Sequence, residues 1–361
     1  YWVWLIPLPS GYTSIGIVTD EEIHPFEEYH TYERAYQWLE KHESVLAAHL
    51  QGKQPADFMK MPRYSYSSDR VFSIDRWACA GDAGVFADPL NSSGLQLCAV
   101  GNSLITQAIA RDIKGQLTAH FVEDANCFFL KFNDNMTWRI QNYYACFRNE
   151  VSTALKYVWD VMVTWAFSSP LMFNGILLDP DQRRILHQYQ EKFAPLEKRV
   201  QQLFLDWSAR SLQRVTYDYI DYTEIAFLKK HRGRNFASHS TEEELIASQI
   251  ANLEAFEEFA RAIFLIAVAD TLPDQLPRAS ATGGLNARAI GLDPERWEAE
   301  GLFSPSTQPH NLHRIGETLS QILQLQDPIF EKFACQGESS PAKIDYPFAQ
   351  TCLERPAGWR N

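Results

Sequence analysis

Residues 77–101 constrain the fold of this chain more than any other stretch. Their apolar beginning, residues 77–80, has the length of a buried strand and ends at Gly81 and Asp82. An acid at the carboxyl end of a strand lies where ligands bind in open α/β sheets, so we expect a ligand edge here. Further on, Ser-Ser-Gly at 92–94 precedes apolar residues at helical spacing, which predicts a helix that begins near Ser93. The free amides and the positive dipole end of such a helix favour an anion.

Three short motifs in this stretch follow one another in order: Gly-Asp-Ala at 81–83, Asp-Pro at 88–89 and Ser-Ser-Gly at 92–94. This order resembles the second flavin-binding motif of FAD-dependent monooxygenases, and it is most similar to that of flavin-dependent halogenases. The alternative is a strand, a turn and a capped helix that bind no ligand.

The resemblance implies a role for each motif in binding FAD. Gly81 and Asp82 would lie at the cofactor, with the Asp82 carboxylate hydrogen-bonded to the ribityl chain, and Pro89 would pack near the isoalloxazine ring. Three backbone amides would face the pyrimidine oxygen of the flavin or a halide ion: those of Ser93, Gly94 and Leu95. For the halide itself the resemblance points to the first two of these residues.

The amino-terminal residues predict a β-hairpin, because an apolar run at 1–8 and a β-branched run at 12–18 flank a Pro-Ser-Gly turn. The first strand reads Trp-Val-Trp-Leu-Ile-Pro, which matches the Trp-x-Trp-x-Ile-Pro signature of flavin-dependent halogenases. By that resemblance, Trp2 and Trp4 serve catalysis by keeping the substrate away from the flavin. Two tryptophans on one face of a strand also fill hydrophobic cores, and this alternative stays open.

One position departs from the family pattern. Asn91 stands directly before Ser-Ser-Gly, where tryptophan-type halogenases carry Glu and phenol or pyrrole types often carry an apolar residue. We treat Asn91 as a candidate catalytic residue because of this place in the motif. An amide forms hydrogen bonds but cannot act as a base at neutral pH, so an indole substrate is in doubt.

Two parts of the family pattern are missing from this sequence. It contains no Gly-x-Gly-x-x-Gly after a strand, and the family's lysine precedes the Trp-x-Trp motif, so Lys41, Lys53 and Lys60 are expected to be ordinary surface charges. We therefore predict that the chain is the carboxyl-terminal portion of a longer protein. On its own it should bind FAD weakly or not at all and should show no turnover.

The predicted fold class is α/β (α+β). Residues 1–115 are expected to form the last part of an FAD-binding monooxygenase-like domain with a mixed sheet, and residues 116–361 a mainly helical carboxyl-terminal lobe. Apolar residues recur every three or four positions in that lobe, and Ser240 with Glu243 forms a capping box before another helix. Residues 271–309, rich in Pro, Gly, Ser and Ala, are expected to form a surface excursion or a lid.

Composition excludes several classes of function. The net charge of -12 and the absence of a sustained Lys/Arg run argue against a nucleic-acid partner. No apolar run approaches the ~20 residues that cross a bilayer, and no signal peptide is recognisable, so we expect a cytoplasmic protein without a membrane partner. The six cysteines lack a Cys-x-x-Cys pair and are expected to be buried free thiols, and no metal site is expected. His231 is expected in a solvated polar loop.

Three functions fit these observations. The first is a flavin-dependent halogenase that uses reduced FAD, oxygen and halide to halogenate a small aromatic substrate, with FAD reduced by a separate flavin reductase. The second is a related FAD-dependent monooxygenase or oxidoreductase that does not use halide. The third is a truncated, non-catalytic chain whose helical lobe binds a partner.

Overall fold

A computed structural model of the chain describes residues 1–211, 226–237, 241–280 and 284–303. The strands are β1 (Trp2–Pro7), β2 (Thr13–Val18), β3 (Phe72–Ser73) and β4 (Trp77–Ala78). The helices are α1 (Tyr32–His42), α2 (Ser44–Leu50), α3 (Ser93–Ile113), α4 (Ala119–Cys146), α5 (Glu150–Val163), α6 (Ser169–Phe173), α7 (Pro180–Arg210), α8 (Ala226–Ala237), α9 (Glu242–Thr271) and α10 (Leu276–Ser280). The α+β class and the mainly helical carboxyl-terminal region are confirmed.

The predicted amino-terminal hairpin is confirmed. Strands β1 and β2 pair in antiparallel register, with Trp4 opposite Gly16. Glycine is required at that place, because a Cβ atom on Gly16 would lie 2.1 Å from the Trp4 ring. Helices α1 and α2 cover the hairpin through a small core centred on Trp38. Helix α1 begins at Tyr32, where the extended Thr31 caps it and the Thr31 hydroxyl accepts a hydrogen bond from the Arg34 amide.

The strand predicted at residues 77–80 is shorter and more exposed than expected. Strand β4 contains two residues and pairs only with β3, and Trp77 is 48% exposed. Residues 64–67 alternate in polarity as a strand does, but they make a single bridge between Tyr66 and Phe86. Both sheets formed by the described residues are antiparallel pairs, so these residues do not build a mixed sheet.

A first core joins α5, α7 and α9 and contains three fully buried tryptophans: Trp159, Trp207 and Trp297. Helix α7 begins at Pro180, a residue type that favours the first helical position. The capping box of α9 lies one residue later than predicted, because Thr241 and Glu244 exchange the two hydrogen bonds. Ser240 lies outside the described residues.

The expectation of a surface excursion at 271–309 is wrong for the residues that the structure describes. Leu285, Ile290, Trp297 and Leu302 are all buried in the first core. The Trp297 indole also donates a hydrogen bond of 2.7 Å to the carbonyl of Gly291. Small and helix-breaking residues shape this segment, but its apolar side chains hold it inside the lobe.

A second core joins α3 and α4 to the segment that contains β3. Asn126 on α4 fixes that segment, since its side-chain oxygen accepts hydrogen bonds from the amides of Val71 (2.8 Å) and Phe72 (3.0 Å). This core contains residues from both sides of position 115, and the proposed domain boundary there stays a prediction. Across the described ranges, no helix is both long enough and apolar enough to span a membrane.

Two expectations about single side chains need correction. His231 is buried within α8 rather than solvated in a loop. Of the described cysteines, which are all free thiols, only Cys146 is buried, and burial raises the pKa of its thiol to about 11. Cys79 and Cys98 are half-buried and Cys127 is exposed. The remaining two cysteines lie outside the described residues.

Candidate functional site

The Gly-Asp-Ala motif forms one tight 3₁₀ turn, Gly81–Ala83, against the first turns of α3. Glycine is needed at position 81 for two reasons. Its φ of +52° lies in the left-handed region, and a Cβ atom there would lie 2.8 Å from the Cys98 sulfur. The turn brings Asp82 to the beginning of α3, where a Cβ atom on Gly94 would lie 3.9 Å from the Asp82 Oδ1 atom. Two motifs twelve positions apart therefore meet.

Helix α3 begins at Ser93, as predicted, and an unusual loop leads into it. Asn91 and Ser92 both have left-handed backbones, with φ values of 59° and 55°. The N-cap residue, Ser92, makes no capping hydrogen bond with its side chain, and the hydroxyl of the first helical residue, Ser93, donates to the carbonyl of Asp88 at 2.7 Å. The first amides of α3 are therefore left without a side-chain cap, which is the arrangement that binds anions.

The left-handed backbone gives a conformational reason for asparagine at position 91. Asparagine adopts this region more readily than most residues, because its short polar side chain forms local hydrogen bonds. Pro89 begins the 3₁₀ turn Leu90–Ser92 that contains it. The asparagine at position 91 therefore suits the backbone of the turn, and its side chain could also contact a ligand.

The Asp88 carboxylate holds this loop in place. Its Oδ2 atom accepts hydrogen bonds from the hydroxyls of Tyr64 (2.8 Å) and Tyr144 (2.9 Å), and its Oδ1 atom accepts one from the Leu90 amide (2.8 Å). Burial, followed by the charge of Asp88, raises the pKa of both tyrosines, which therefore stay protonated donors at neutral pH. The Tyr144 hydroxyl in turn accepts a hydrogen bond of 3.1 Å from the Trp2 indole.

This network connects the Trp-x-Trp hairpin to the loop before α3. The rings of Trp2 and Trp4 lie 5.5 Å apart between centroids, and the Trp4 indole donates to the Ser14 hydroxyl at 3.1 Å. Both tryptophans are half-buried. The structure thus brings the hairpin motif and the Asp-Pro motif together through Tyr144, a residue that sequence reasoning missed.

A cavity of about 620 Å³ opens beside this loop. Leu90, Asn91 and Ser93 line one part of it, and α4, α5, α7, α8 and the π-helical segment Thr164–Ser168 line the rest. Eight aromatic side chains line it, together with charged ones that include Lys131, Arg139, Asp160, Glu197 and Arg232. The aromatic ones are Phe128, Phe132, Trp138, Tyr143, Tyr157, Trp165, Phe167 and Phe193. Its volume falls in the range of small-molecule sites, and π-helical segments are frequent at such sites.

A buried polar cluster adjoins the cavity. Lys156 is fully buried, and its Nζ atom donates to the Asp160 Oδ2 atom (2.8 Å) and to the Gln201 Oε1 atom (2.6 Å). The Gln201 amide also donates to the Asp160 Oδ1 atom at 2.8 Å. Lys156 lies 4.0 Å from the centre of the Tyr143 ring, in a cation–π contact. Of this cluster, Tyr143 and Asp160 line the cavity.

The sequence contained a signal for this cluster. Lys156 and Asp160 are four residues apart in a run whose other inward positions, Ser152 apart, are apolar, and charges among buried positions are expected to be paired. A second charged pair on the cavity wall, Arg139 and Glu197 at 2.7 Å, joins α4 to α7 and could not be found from spacing.

The candidate site residues thus fall into three places. Gly81, Asp82 and Gly94 meet at the beginning of α3, where Leu95 is 75% exposed. Asn91 and Ser93 line the cavity, while Trp2 and Trp4 do not and reach the loop through hydrogen bonds. The three lysines expected as surface charges are exposed: Lys41, Lys53 and Lys60. The roles inferred for the candidate residues stay predictions.

Comparison with known proteins supports the family resemblance. The chain is 27% identical over 111 residues to the flavin-dependent halogenase chlA of Dictyostelium discoideum, covering 30% of this chain and 18% of that protein. It is 32% identical over 126 residues to the flavin-dependent halogenase otaD of Aspergillus niger, a match that covers 33% of this chain and 26% of that protein. It is 24% identical over 182 residues to a 1H-pyrrole-2-carbonyl-[peptidyl-carrier protein] chlorinase of Pseudomonas fluorescens, a match that covers 50% of this chain and 35% of that protein.

The matched part of each relative is short. The chain spans between 18% and 35% of the length of these three curated proteins. No family model and no solved structure matches the chain. The similarity to flavin-dependent halogenases predicted from the motifs is confirmed over this part of the sequence.

Proposed function

We propose that this chain is part of a flavin-dependent halogenase that uses reduced FAD, oxygen and halide to halogenate an aromatic substrate. The observation that carries the proposal is the loop 81–95. It places Asp82 beside the uncapped beginning of α3, while Asn91 and Ser93 of the same loop open onto a cavity walled by aromatic rings. The similarity to curated halogenases supports it.

The residues present fit a flavin. A flavin offers ribityl hydroxyls that donate to a carboxylate and ring oxygens that accept from amides. The exposed Asp82 carboxylate lies beside Gly94 in the uncapped first turn of α3. When bound, reduced FAD supplies the electrons that activate oxygen, which no side chain here can do. The two motifs supply binding and orientation.

The same amides suit a halide ion. The first turn of α3 offers N–H groups and the positive end of a 21-residue helix, and an anion held there needs no basic side chain. Ser93 and Gly94 are the residues whose amides would hold it. The Asp88 network keeps the left-handed loop, and hence these amides, in a fixed place before any ligand binds.

The cavity is the place for the aromatic substrate. Ring stacking and edge contacts with its aromatic walls would bind an aromatic molecule and exclude water. The Pseudomonas relative is named for a pyrrole-2-carbonyl group on a carrier protein, and we propose the broader class of aromatic rings for this chain. We also propose that a separate flavin reductase supplies the reduced FAD and that the protein is cytoplasmic.

Substitution of Gly94 by Ala tests this function in the reading frame that contains the chain, supplied with a flavin reductase, FAD, oxygen and either bromide or chloride. Mass spectrometry detects halogen in aromatic acceptors by its isotope pattern. A Cβ atom at 94 meets no protein atom closer than 3.9 Å, so the variant should fold, but the methyl group would occupy the space between Asp82 and the helix. We expect product to fall about tenfold or more.

Gly233→Ala is the matched control, since a Cβ atom there has no neighbour within 4 Å. It should keep the activity of the unchanged protein. An oxygenated product whose yield is independent of halide would overturn the halogenase proposal in favour of a related monooxygenase. The absence of any FAD-dependent product would overturn both and favour the non-catalytic alternative.

A further inference from the structure

The cavity is elongated and extends along helix α4. Side chains of this helix line it from Phe128 to Tyr143, which corresponds to about 22 Å of helix. With a volume of about 620 Å³, the cavity can hold a ring together with a substituent that extends from that ring. The charged side chains on its wall therefore determine which kind of substituent is bound most favourably.

Two acids line the cavity, and each already has its own cation. The Asp160 carboxylate accepts hydrogen bonds from the buried Lys156 ammonium at 2.8 Å and from the Gln201 amide at 2.8 Å. Glu197 pairs with Arg139, with 2.7 Å between the Oε1 and Nε atoms. The charges of both pairs are balanced within the wall, so neither pair leaves a net charge for a ligand.

Two further cations line the cavity without an acidic partner among the described residues. Lys131 on α4 and Arg232 on α8 are both exposed, and neither forms a salt bridge with any residue that the structure describes. The Arg232 guanidinium lies 5.6 Å from the centre of the Trp165 ring, which lines the same cavity. This cation–π contact favours a place for Arg232 at the wall and leaves its N–H groups for a ligand.

The excess of positive charge at the cavity is local. The chain as a whole has a net charge of -12, so its overall field repels an anion. A preference for an anion in the cavity would therefore have to come from the cations that line it. Lysine and arginine both bind carboxylates, and arginine can donate two parallel hydrogen bonds to one such group. The cavity thus suits a molecule that has an aromatic part and an anionic part.

We propose that Lys131 and Arg232 bind an anionic substituent of the aromatic substrate, such as a carboxylate, while the ring lies against the aromatic side chains of the cavity. This inference rests on the proposed function for the aromatic nature of the substrate. The two cations are specificity-determining, because they select an anionic ring compound over a neutral one of the same shape. They act through binding of the substituent and not through the halogenation step.

Three naphthalene probes of similar shape test this preference for negative charge. At neutral pH 2-naphthoate is an anion, 2-naphthamide is neutral and 2-naphthylmethylamine is a cation. Calorimetric titration into the 361-residue chain at low salt gives each dissociation constant, with circular dichroism as the check of folding. We expect 2-naphthoate to bind about threefold to tenfold more tightly than 2-naphthamide, and the amine to bind most weakly. Because both cations are exposed, the difference should shrink at high salt.

Arg232→Gln and Lys131→Gln each remove one positive charge from an exposed side chain. We expect each variant to weaken the binding of 2-naphthoate by about twofold to fivefold and to leave the affinity for 2-naphthamide unchanged. Lys198→Gln is the matched control, because Lys198 is an exposed cation on α7, one of the helices around the cavity, and does not itself line it. The affinities of this control should equal those of the unchanged chain.

Equal affinity of the unchanged chain for 2-naphthoate and 2-naphthamide would overturn the inference, as would failure to bind either probe. A preference for 2-naphthoate that survives in full in both Arg232→Gln and Lys131→Gln, or that falls equally in Lys198→Gln, would also overturn it. If a variant does not fold, the ranking of the probes and its salt dependence in the unchanged chain decide.

This inference and the proposed function can fail separately. Selective binding of 2-naphthoate without any halide-dependent product would leave the inference standing and overturn the proposed function. Halide-dependent product together with equal affinity for the charged and neutral probes would do the reverse.

Discussion

Asp88→Asn tests whether the carboxylate between the hairpin and α3 holds the loop as the structure indicates. The change keeps the size and shape of the side chain and removes its charge. The carboxylate accepts three hydrogen bonds, from Tyr64, Tyr144 and the Leu90 amide, at 2.8–2.9 Å. The side-chain amide of Asn has one accepting oxygen and one donating NH₂ group, so it cannot accept hydrogen bonds from the two hydroxyls and from the Leu90 amide as the carboxylate does.

The expected cost follows from these contacts. If the Asn oxygen faces the two hydroxyls, its NH₂ group meets the Leu90 amide, and if it faces that amide, its NH₂ group meets the hydroxyls. In the first orientation the hydrogen bond to the Leu90 amide is lost. In the second the hydroxyls can accept from the NH₂ group, but their own O–H protons lose the carboxylate that accepted them. In both orientations the remaining hydrogen bonds lose the strength that the negative charge gives. Hydrogen bonds to charged groups contribute about 1.5–3 kcal/mol each, so we expect a loss of about 1.5–3 kcal/mol in the free energy of unfolding.

Urea denaturation followed by tryptophan fluorescence measures this loss. Asp134→Asn on the exposed face of α4 is the matched control and should change the free energy of unfolding by less than about 0.5 kcal/mol. Tyr64→Phe should cost less than Asp88→Asn, because it removes one of the three bonds. An Asp88→Asn protein as stable as the control would refute the argument that this carboxylate fixes the loop.

The remaining predictions concern packing, buried charge and pH. Gly16→Ala should lower the free energy of unfolding by about 1–3 kcal/mol, because its methyl group would lie 2.1 Å from the Trp4 ring. Gly233→Ala, on a helix with open space around the new methyl group, should leave the free energy of unfolding unchanged or raise it by up to about 1 kcal/mol. Lys156→Met should lower the free energy of unfolding by about 3–5 kcal/mol because it leaves the Asp160 charge without its cation. Urea titration of the three variants checks these values. The pKa of Tyr64 is higher in the folded protein than its ordinary value of 10.0. The stabilisation that this shift represents is complete below about pH 10 and is lost as the pH rises toward the folded-state pKa. We therefore expect the free energy of unfolding to fall above about pH 10, and to fall less in Tyr64→Phe.

Local patterns in the sequence determine much of the fold. The amino-terminal hairpin and the beginning of α3 at Ser93 lie where the sequence predicts them. Each depends on residues within a few positions of one another, through strand alternation, a turn or a helix start, so neighbouring side chains suffice to specify it. The same holds for the motifs that resemble halogenases, whose order in the chain can be recognised directly.

Sequence patterns fail where a residue's surroundings come from distant segments. Trp77 is expected inside a sheet, yet β4 has one short partner and leaves it exposed, while Trp297 is expected near a surface segment and lies in the first core. The pattern of polar, apolar and small residues in a segment predicts which of its faces is apolar. It does not predict which other element packs against that face. Burial depends on which elements pack against it, and that is decided by the whole chain.

The candidate site divides in the same way. The sequence by itself supplies Asp82, Asn91, Ser93 and Gly94 as an ordered string and predicts free amides at the beginning of a helix. Only the tertiary structure brings Tyr144 to Asp88 and sets the 620 Å³ cavity, with Tyr143 in its wall, beside that string. Those contacts join residues more than fifty positions apart, and local sequence carries no signal for them because they arise when α4, α5 and α7 pack against the loop before α3.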